Sequence, residues 1–256
     1  FYQNENDLVK ALVDGNIEEI SSITPLNAEN LKEENYQVKS VVLPRVFGLF
    51  FNQNVNRLFT DKAVVTAINQ AIDKDKIVRD VLLGYGVVID NPIPPNMVEY
   101  QKLKGGNSTS RKDLLQKAQN DLLKDGWKIG VDGFLEKTVQ GKKSAKGGSA
   151  SGGKVTTKLE FSISTGNVPE LVKTAELIKQ DLAVIGIKVE IKIFETGNLN
   201  QNVIRPRKYD TLLFGTIINR ESDLFAFWHS SQRKDPGLNV AMYTNAKVDK
   251  ILEDAF

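Results

Sequence analysis

The sequence contains no cysteine and a single histidine, His229, among its 256 residues. Without cysteine a chain has no disulfide framework, no thiol nucleophile and no thiolate zinc site. With one histidine, most schemes that pair an imidazole with a nucleophile or a metal ion lack parts. The composition therefore argues against many classes of enzyme, and we expect a protein that performs no chemistry and uses no metal or cofactor.

An excess of charge of one sign and long apolar runs are absent as well. The 34 Lys and Arg residues against 32 Asp and Glu leave a net charge of +2, which gives no electrostatic case for a nucleic-acid partner. No apolar run approaches the roughly 20 residues of a membrane span, and the first residues do not show the leader pattern of Lys or Arg, an apolar run and small residues. Since the chain starts at Phe1 and ends at Phe256, we expect both ends to be cut points of a longer protein.

Helical and extended patterns alternate along the chain. Capping residues and apolar residues at helical spacing predict helices after Asn6, Thr60, Asp73 and Ser110, and over 27–34, 169–185, 198–203, 222–229 and from 247 onward. Apolar alternation predicts strands at 37–43, 46–52, 158–164, 187–194 and 209–214, with two more flanking 142–154. Strands that alternate with helices favour an α/β fold whose open, partly parallel sheet is covered on both faces.

The segment 142–154, KKSAKGGSASGGK, is rich in Gly, Ser and Lys and has nothing to bury. We interpret it as a flexible hairpin tip within one domain, and an interdomain linker is the alternative that composition leaves open. Its end, Gly148–Lys154, matches the first seven positions of a phosphate-binding P-loop. Val155 stands where Ser or Thr is required, and the stretch leads into a predicted strand instead of a helix, so we do not predict nucleotide binding here.

Polar and small residues follow the predicted strand that ends at Phe214. They are Gly215, Thr216, Ile217, Ile218, Asn219 and Arg220. Open α/β sheets bind ligands at the carboxyl ends of their strands, so this stretch is a candidate ligand site, and an ordinary strand-to-helix loop is the equal alternative. Arg205 and Arg207 precede the strand and either bind a carboxylate or line the surface.

His229 stands beside Ser230 and Ser231 in the sequence FWHSSQ. We interpret it as a hydrogen-bonding residue at a helix end, because neighbouring residues on a helix do not face each other and no strained nucleophile turn is present. The serine–histidine pair and the near P-loop together motivate an alternative hypothesis, a nucleotide-dependent α/β enzyme or switch.

Eight segments in order resemble the family 5 extracellular solute-binding proteins, the substrate receptors of peptide-type ABC importers. They are NDLVKALVDGNIEEI, GLFFNQN, FTDKAVVTAINQAIDKDKIVRDVLLGYG, NPIPP, LLKDGW, PELVKTAELIKQDLAVIGIKVEI, YDTLLFG, and FWHSSQ with NVAMYTNAKVDKILEDA. No single segment is specific, but their order and spacing cover nearly the whole chain.

The resemblance implies a periplasmic-binding-protein-like (type II) fold, in which residues 1–256 form a single α/β lobe, mainly the second of two, truncated at both ends. It implies a peptide or another small solute as ligand, ABC permease subunits as partners, and a monomer. It also implies an extracellular or periplasmic location, with a lipid anchor as an option for the full-length protein. A receptor-derived sensor that docks a signalling partner is a further alternative.

The loop after YDTLLFG corresponds to the loop that lines the cleft in this family. The resemblance therefore assigns solute binding to Gly215, Thr216, Ile217, Asn219 and Arg220. In some oligopeptide receptors an Asp at the place of Asn219 binds the α-amino group of the peptide. A neutral amide forms hydrogen bonds of roughly half the strength of charge-assisted ones, so we expect weak recognition of free amino termini. Arg205 and Asn52 are further transfers from the same resemblance.

Overall fold

The computed structural model describes residues 2–93, 110–140, 154–218 and 223–255. The chain packs as two compact units, one formed by Phe1–Leu43 with Asp75–Val88 and the other by Pro44–Lys74 with Ile89–Phe256. The single lobe over 1–256 stays a prediction.

Helices and strands alternate along the chain as the sequence pattern predicts. The helices are α1 Glu5–Val13, α2 Pro25–Glu33, α3 Lys62–Ala71, α4 Lys74–Asp80, α5 Arg111–Lys124, α6 Pro169–Val184, α7 Thr196–Asn198, α8 Asp223–Trp228 and α9 Ala246–Asp254. The strands are β1 Arg45–Phe51, β2 Lys128–Ile129, β3 Leu135–Gln140, β4 Lys154–Lys158, β5 Glu160–Gly166, β6 Lys188–Phe194 and β7 Thr211–Ile217. Short helical turns also occur, of the 3-10 type at Arg57–Thr60 and Ser230–Arg233 and of the π type at Leu199–Ile204.

Three predictions of local structure are wrong. Residues 37–43 form no strand, because no described strand pairs with them. Asn4, not Asn6, caps α1, since Asn4 has extended backbone and its side chain accepts a hydrogen bond from a first-turn N–H. Asp61, not Thr60, caps α3 for the same reason.

In the first unit, one carboxylate joins two helices. Glu5 of α1 accepts hydrogen bonds from the Thr24 backbone N–H and from the Asn27 side-chain amide, both at the start of α2. The buried apolar side chains of this unit, among its described residues, are Ala11, Ala28, Leu31 and Val81. The unit therefore combines a small apolar core with a polar link between its helices.

The second unit is built on a four-stranded mixed sheet in the order β1–β7–β5–β6. β5 runs parallel to both β6 and β7, whereas β1 runs antiparallel to β7 at one edge of the sheet. α6 lies in the crossover from β5 to β6, as parallel pairing requires. The predicted α/β fold with a partly parallel sheet is confirmed.

Apolar side chains cover both faces of this sheet. On one face, the Phe59 ring contacts the rings of Phe51 and Phe161, with centroids 4.9 and 5.2 Å apart. On the other face, Leu212 belongs to a buried cluster with Leu199, Val203, Tyr209 and Val240. The predicted coverage of both faces is confirmed. Because both faces are covered, the ends of the strands are the parts of the sheet that a ligand can reach.

A separate antiparallel sheet, β2–β3–β4, carries the predicted hairpin tip. β3 and β4 pair as far as Gln140 and Lys154, so Lys154 belongs to a strand, and residues 142–153 lie outside the described residues. The P-loop-like stretch leads into β4, as predicted. A phosphate-binding loop leads into the N-terminus of a helix, whereas this stretch leads into a strand. The structure therefore agrees with the prediction that this stretch does not bind a nucleotide.

Arg111, the first residue of α5, ties three helices together. Its guanidinium donates to the Gln70 carbonyl at 3.3 Å and to the Ala71 carbonyl, both at the carboxyl end of α3. It also forms an ion pair with Asp181 of α6 at 3.0 Å. Ser110 caps α5, as predicted. α5 is thereby fixed to α3 and α6 together.

Candidate functional site

β7 is longer than predicted and includes residues that we assigned to a loop. Its last three residues, Gly215–Ile217, pair with Arg45–Phe47 of β1. The strand continues beyond Phe214 because β1 supplies backbone partners that the apolar pattern of β7 does not reveal. The loop interpretation of these three residues is wrong, while their assignment to a ligand site stays a prediction.

The carboxyl end of β7 extends beyond its parallel neighbour β5. The pairing of β5 with β7 ends at Leu213, so Gly215 and Ile217 pair only with β1 among the described residues. The Ile218 N–H donates to the Pro44 carbonyl at 2.8 Å, on the β1 side. Because backbone groups alternate in direction along an antiparallel strand, the N–H and C=O groups of Gly215 and Ile217 point away from β1. An open strand edge of this kind accepts an extended chain through backbone hydrogen bonds.

Apolar surface lies beside these backbone groups. Phe47 and Ile217 are on the same face of the sheet and are 53% and 49% exposed. A Cβ atom at Gly215 would lie 2.6 Å from the Phe47 ring, so this ring takes its position because residue 215 is glycine. The open end of β7 therefore offers both backbone hydrogen bonds and apolar contact.

Two polar residues that sequence reasoning did not select follow the other parallel strands. Asn167 follows β5 and Glu195 follows β6, both are exposed, and the Asn167 side-chain amide donates to the Glu195 carboxylate at 2.8 Å. The Asn167 N–H also donates to the Phe194 carbonyl at 2.8 Å. The sequence does contain a signal that could have selected them, because both residues come directly after a strand. Open sheets bind ligands at this end of their strands.

Asn52 and Arg205 lie at the opposite end of β7. Asn52 bonds to the backbone just before β7, and a seven-residue strand at about 3.3 Å per residue separates that point from Ile217 by roughly 20 Å. Asn52 is fully buried and its amide donates to a backbone carbonyl at 2.9 Å. Arg205 is exposed, with its Nε 3.8 Å from Asp235. The structure does not bring these two residues to the open end of β7, and their part in ligand binding stays a prediction.

Asn219 and Arg220, the remaining predicted ligand residues, lie outside the described residues. Their place in the sequence directly follows the end of β7 and Ile218. Of the seven predicted site residues, three thus lie together at the carboxyl end of β7: Gly215, Thr216 and Ile217.

A polar groove of about 410 Å³ opens at the other end of the parallel strands. It is lined by Glu160, Phe161, Ser162, Lys188, Glu190 and Asp210. Asp210 accepts hydrogen bonds from the Ser162 N–H and hydroxyl, both at 2.9 Å. These groups join β5 to the start of β7, and open α/β sheets bind ligands at the opposite, carboxyl ends of their strands. We therefore assign the groove a structural role.

His229 caps the turn Ser230–Arg233, which agrees with the helix-end interpretation. Its Nδ1 accepts a hydrogen bond from the Ser231 backbone N–H at 3.2 Å and lies 2.7 Å from the Ser231 hydroxyl. A serine nucleophile needs an imidazole nitrogen free to take its proton, and here the backbone N–H already engages that nitrogen. The geometry favours a cap over a nucleophile.

The described residues contain no group of three or more His, Asp or Glu side chains arranged to hold a metal ion. Within the same residues, no helix has the length and apolar character that crossing a membrane requires. The described residues at the open end of β7 offer backbone hydrogen bonding and apolar contact.

The fold and the site define the class of protein. A mixed sheet flanked by helices is the architecture of periplasmic binding proteins of the type II fold. The family model described as bacterial extracellular solute-binding proteins, family 5 Middle, matches residues 1–236. The chain belongs to this family of extracellular solute-binding proteins, as the resemblance predicted.

Named relatives agree with this assignment. The oligopeptide-binding protein AppA of Bacillus subtilis (strain 168) is 32% identical over 203 residues, which cover 78% of this chain and 34% of AppA. The solved structure of B. subtilis AppA in complex with a nonapeptide has a TM-score of 0.76 at 27% identity, over 98% of this chain and 46% of that one. NikZ from Campylobacter jejuni, solved with Ni(L-His), shares the fold with a TM-score of 0.70 at 24% identity, over 98% and 46% of the two chains. This chain thus spans about a third to a half of the length of these relatives.

Proposed function

We propose that the full-length protein is the substrate-binding component of an ABC importer, and that this chain contributes the open end of β7 to a cleft that binds peptides. The observation that carries the proposal is the side of Gly215 and Ile217 that pairs with no other described strand, in a member of this family. A peptide laid along that side is held by main-chain hydrogen bonds, which are independent of its sequence. The adjoining apolar surface of Phe47 and Ile217 suits a peptide side chain.

The proposal extends to the partners and location of the full-length protein. By family membership it works outside the cytoplasmic membrane as a monomer, closes its two lobes on the solute and delivers the solute to permease subunits. A lipid anchor at the membrane is part of the same proposal. Binding and closure need no chemistry, which fits a family of solute-binding proteins, not enzymes.

The role of the strand edge is tested by calorimetry of the full-length protein against a library of oligopeptides. Ile217→Pro removes one of the two N–H groups that face the open side and leaves the bonds to β1 intact, because the neighbouring residues make those bonds. We expect this variant to bind peptides about tenfold more weakly, the value of roughly one hydrogen bond. Ile217→Val is the matched control, since it keeps the N–H and should bind like the wild type.

If Ile217→Pro folds with an unchanged melting temperature and binds peptides as tightly as Ile217→Val, the strand edge is not the peptide site. If the wild type binds no peptide but binds another solute, such as a nickel–histidine complex, the peptide part of the proposal fails.

Asn219→Asp tests whether residue 219 contacts the amino terminus of the bound peptide. An aspartate at this place supplies a charge-assisted hydrogen bond to an α-amino group that an amide lacks, so we expect an affinity gain of about tenfold for peptides with free amino termini. N-acetylated peptides serve as the control ligands and should show no gain. Equal affinity for free and acetylated peptides in both variants would remove Asn219 from the site.

A further inference from the structure

His229 connects the end of α8 to α9. Its ring Nε2 lies 3.2 Å from an oxygen of Glu253 and 3.9 Å from an oxygen of Asp249, both on α9. Its ring Nδ1 faces Ser231, in the turn that follows α8. Each ring nitrogen therefore has a partner on a different element.

These partners determine where the ring carries its proton. The Ser231 backbone N–H is a fixed donor directed at Nδ1, so Nδ1 must offer a lone pair. A neutral imidazole with a lone pair on Nδ1 has its proton on Nε2, which then donates to the Glu253 carboxylate. The contacts thus select the Nε2–H form of the neutral ring.

α9 buries little apolar surface of its own. None of its residues is buried, Ile251 is 65% exposed, and a helix of nine residues is marginal in isolation. Among the described residues, its hydrogen bonds to the rest of the chain come from His229 and from Ser230, whose N–H donates to Asp249 at 2.9 Å. That backbone hydrogen bond holds the pKa of the Asp249 carboxyl below its usual range, so a carboxylate stays beside the ring.

On the α8 side, the histidine is held firmly. The Phe225 ring stacks on the His229 ring with centroids 4.2 Å apart and planes at 11°. Asn239, fully buried, donates to the carbonyls of Trp228 and His229 at 3.3 and 3.1 Å. His229 is therefore the fixed partner, and α9 is the element whose position depends on it.

We propose that His229, in its Nε2–H form, is a positioning residue that fixes α9 to the end of α8. The tautomer of His229 and the attachment of α9 do not depend on the proposed function.

The tautomer is measured by nitrogen-15 NMR of the full chain at pH 8, without a histidine tag. His229 is the only histidine, so the spectrum contains one imidazole. We expect one nitrogen in the protonated range, assigned to Nε2, and one in the unprotonated range, assigned to Nδ1. An Nδ1–H ring, or the averaged signals of two interconverting forms, overturns the proposal.

The attachment of α9 is measured by hydrogen exchange in three variants. His229→Asn keeps an oxygen at the place of Nδ1 to cap Ser231 but cannot reach Glu253, and we expect the amides of α9 to exchange about five- to tenfold faster, the value of one hydrogen bond to a carboxylate that is largely exposed. Glu253→Gln keeps an acceptor and should give a smaller increase. Lys247→Gln, an exposed change on the same helix, is the control and should leave exchange unchanged. Unchanged α9 exchange in His229→Asn overturns the proposal.

Peptide binding by the full-length protein separates this proposal from the proposed function. If the wild type binds no peptide, the proposed function fails, and the exchange experiment still decides whether His229 positions α9.

Discussion

At the scale of single residues, Tyr209 shows how burial controls titration. Its hydroxyl donates to the Val240 carbonyl at 2.6 Å inside the apolar cluster on one face of the sheet, and burial raises the pKa of Tyr209 to about 12. In the unfolded chain the same group ionises near pH 10. A raised pKa stabilises the folded state below pH 10, and this stabilisation is lost as pH rises from 10 to about 12.

We therefore expect the free energy of unfolding of the wild type to fall by roughly 1 kcal/mol between pH 9 and pH 11 on account of Tyr209. Tyr209→Phe should lack this part of the pH dependence, and it should be less stable at pH 9 by about 1 kcal/mol because the Val240 carbonyl loses its donor. Urea unfolding at both pH values measures the difference. Tyr2→Phe, at an exposed tyrosine, is the control, and an identical pH dependence in Tyr209→Phe and the wild type would contradict the argument.

At the scale of elements, the position of α5 depends on the guanidinium of Arg111. The ammonium group of lysine, which lacks a planar fork of donors, does not replace it. Arg111 donates to two carbonyls at the end of α3 and pairs with Asp181 of α6. Lys112, its neighbour, is exposed. The planar fork of arginine serves several acceptors at once, so its removal leaves carbonyls and a carboxylate without their partner.

Arg111→Met should lower the free energy of unfolding by about 1–2 kcal/mol, a value reduced for partial exposure of the guanidinium. Lys112→Met makes the same chemical change one residue away and should cost less than about 0.5 kcal/mol. Thermal and urea unfolding of the two variants provide the comparison. Equal costs would mean that Arg111 does not connect the helices.

The elements also show what could be predicted from sequence. Periodicity predicted most helices and strands because this signal is local, whereas two predicted caps, Asn6 and Thr60, and the strand at 37–43 were wrong. The end of β7 was not predictable from β7 itself, since its last three residues are ordered by β1, far away in the sequence. The resemblance, not a local pattern, assigned Asn52 to the ligand site, and the antiparallel pairing of β1 puts this residue beside the start of β7, away from its open end.

At the scale of the whole molecule, the two compact units differ in their cores. In the first unit, the described buried apolar residues are Ala11, Ala28, Leu31 and Val81, two of them alanines. The second unit contains the mixed sheet with aromatic and branched side chains on both faces. Local stability follows buried apolar contact, so the units should open independently.

Hydrogen exchange followed by peptide mass spectrometry tests this expectation. The slowest amides of α1 and α2 should exchange at least about tenfold faster than those of β5, because a smaller core resists opening less. The two sets should also respond differently to low concentrations of urea. A single exchange rate and a single urea response for both units would show that the chain unfolds as one cooperative body.

The pairing of β1 with β7 has a consequence for how the chain is made. At roughly 5–20 residues per second, a ribosome needs roughly 10–30 seconds to pass from the end of β1 at Phe51 to the start of β7 at Thr211. During that time the apolar segment RVFGLFF has no partner strand, and an unpaired apolar strand is a site of aggregation. β1 therefore gains its backbone partner only after β7 has been made, and the segment is exposed to aggregation until then.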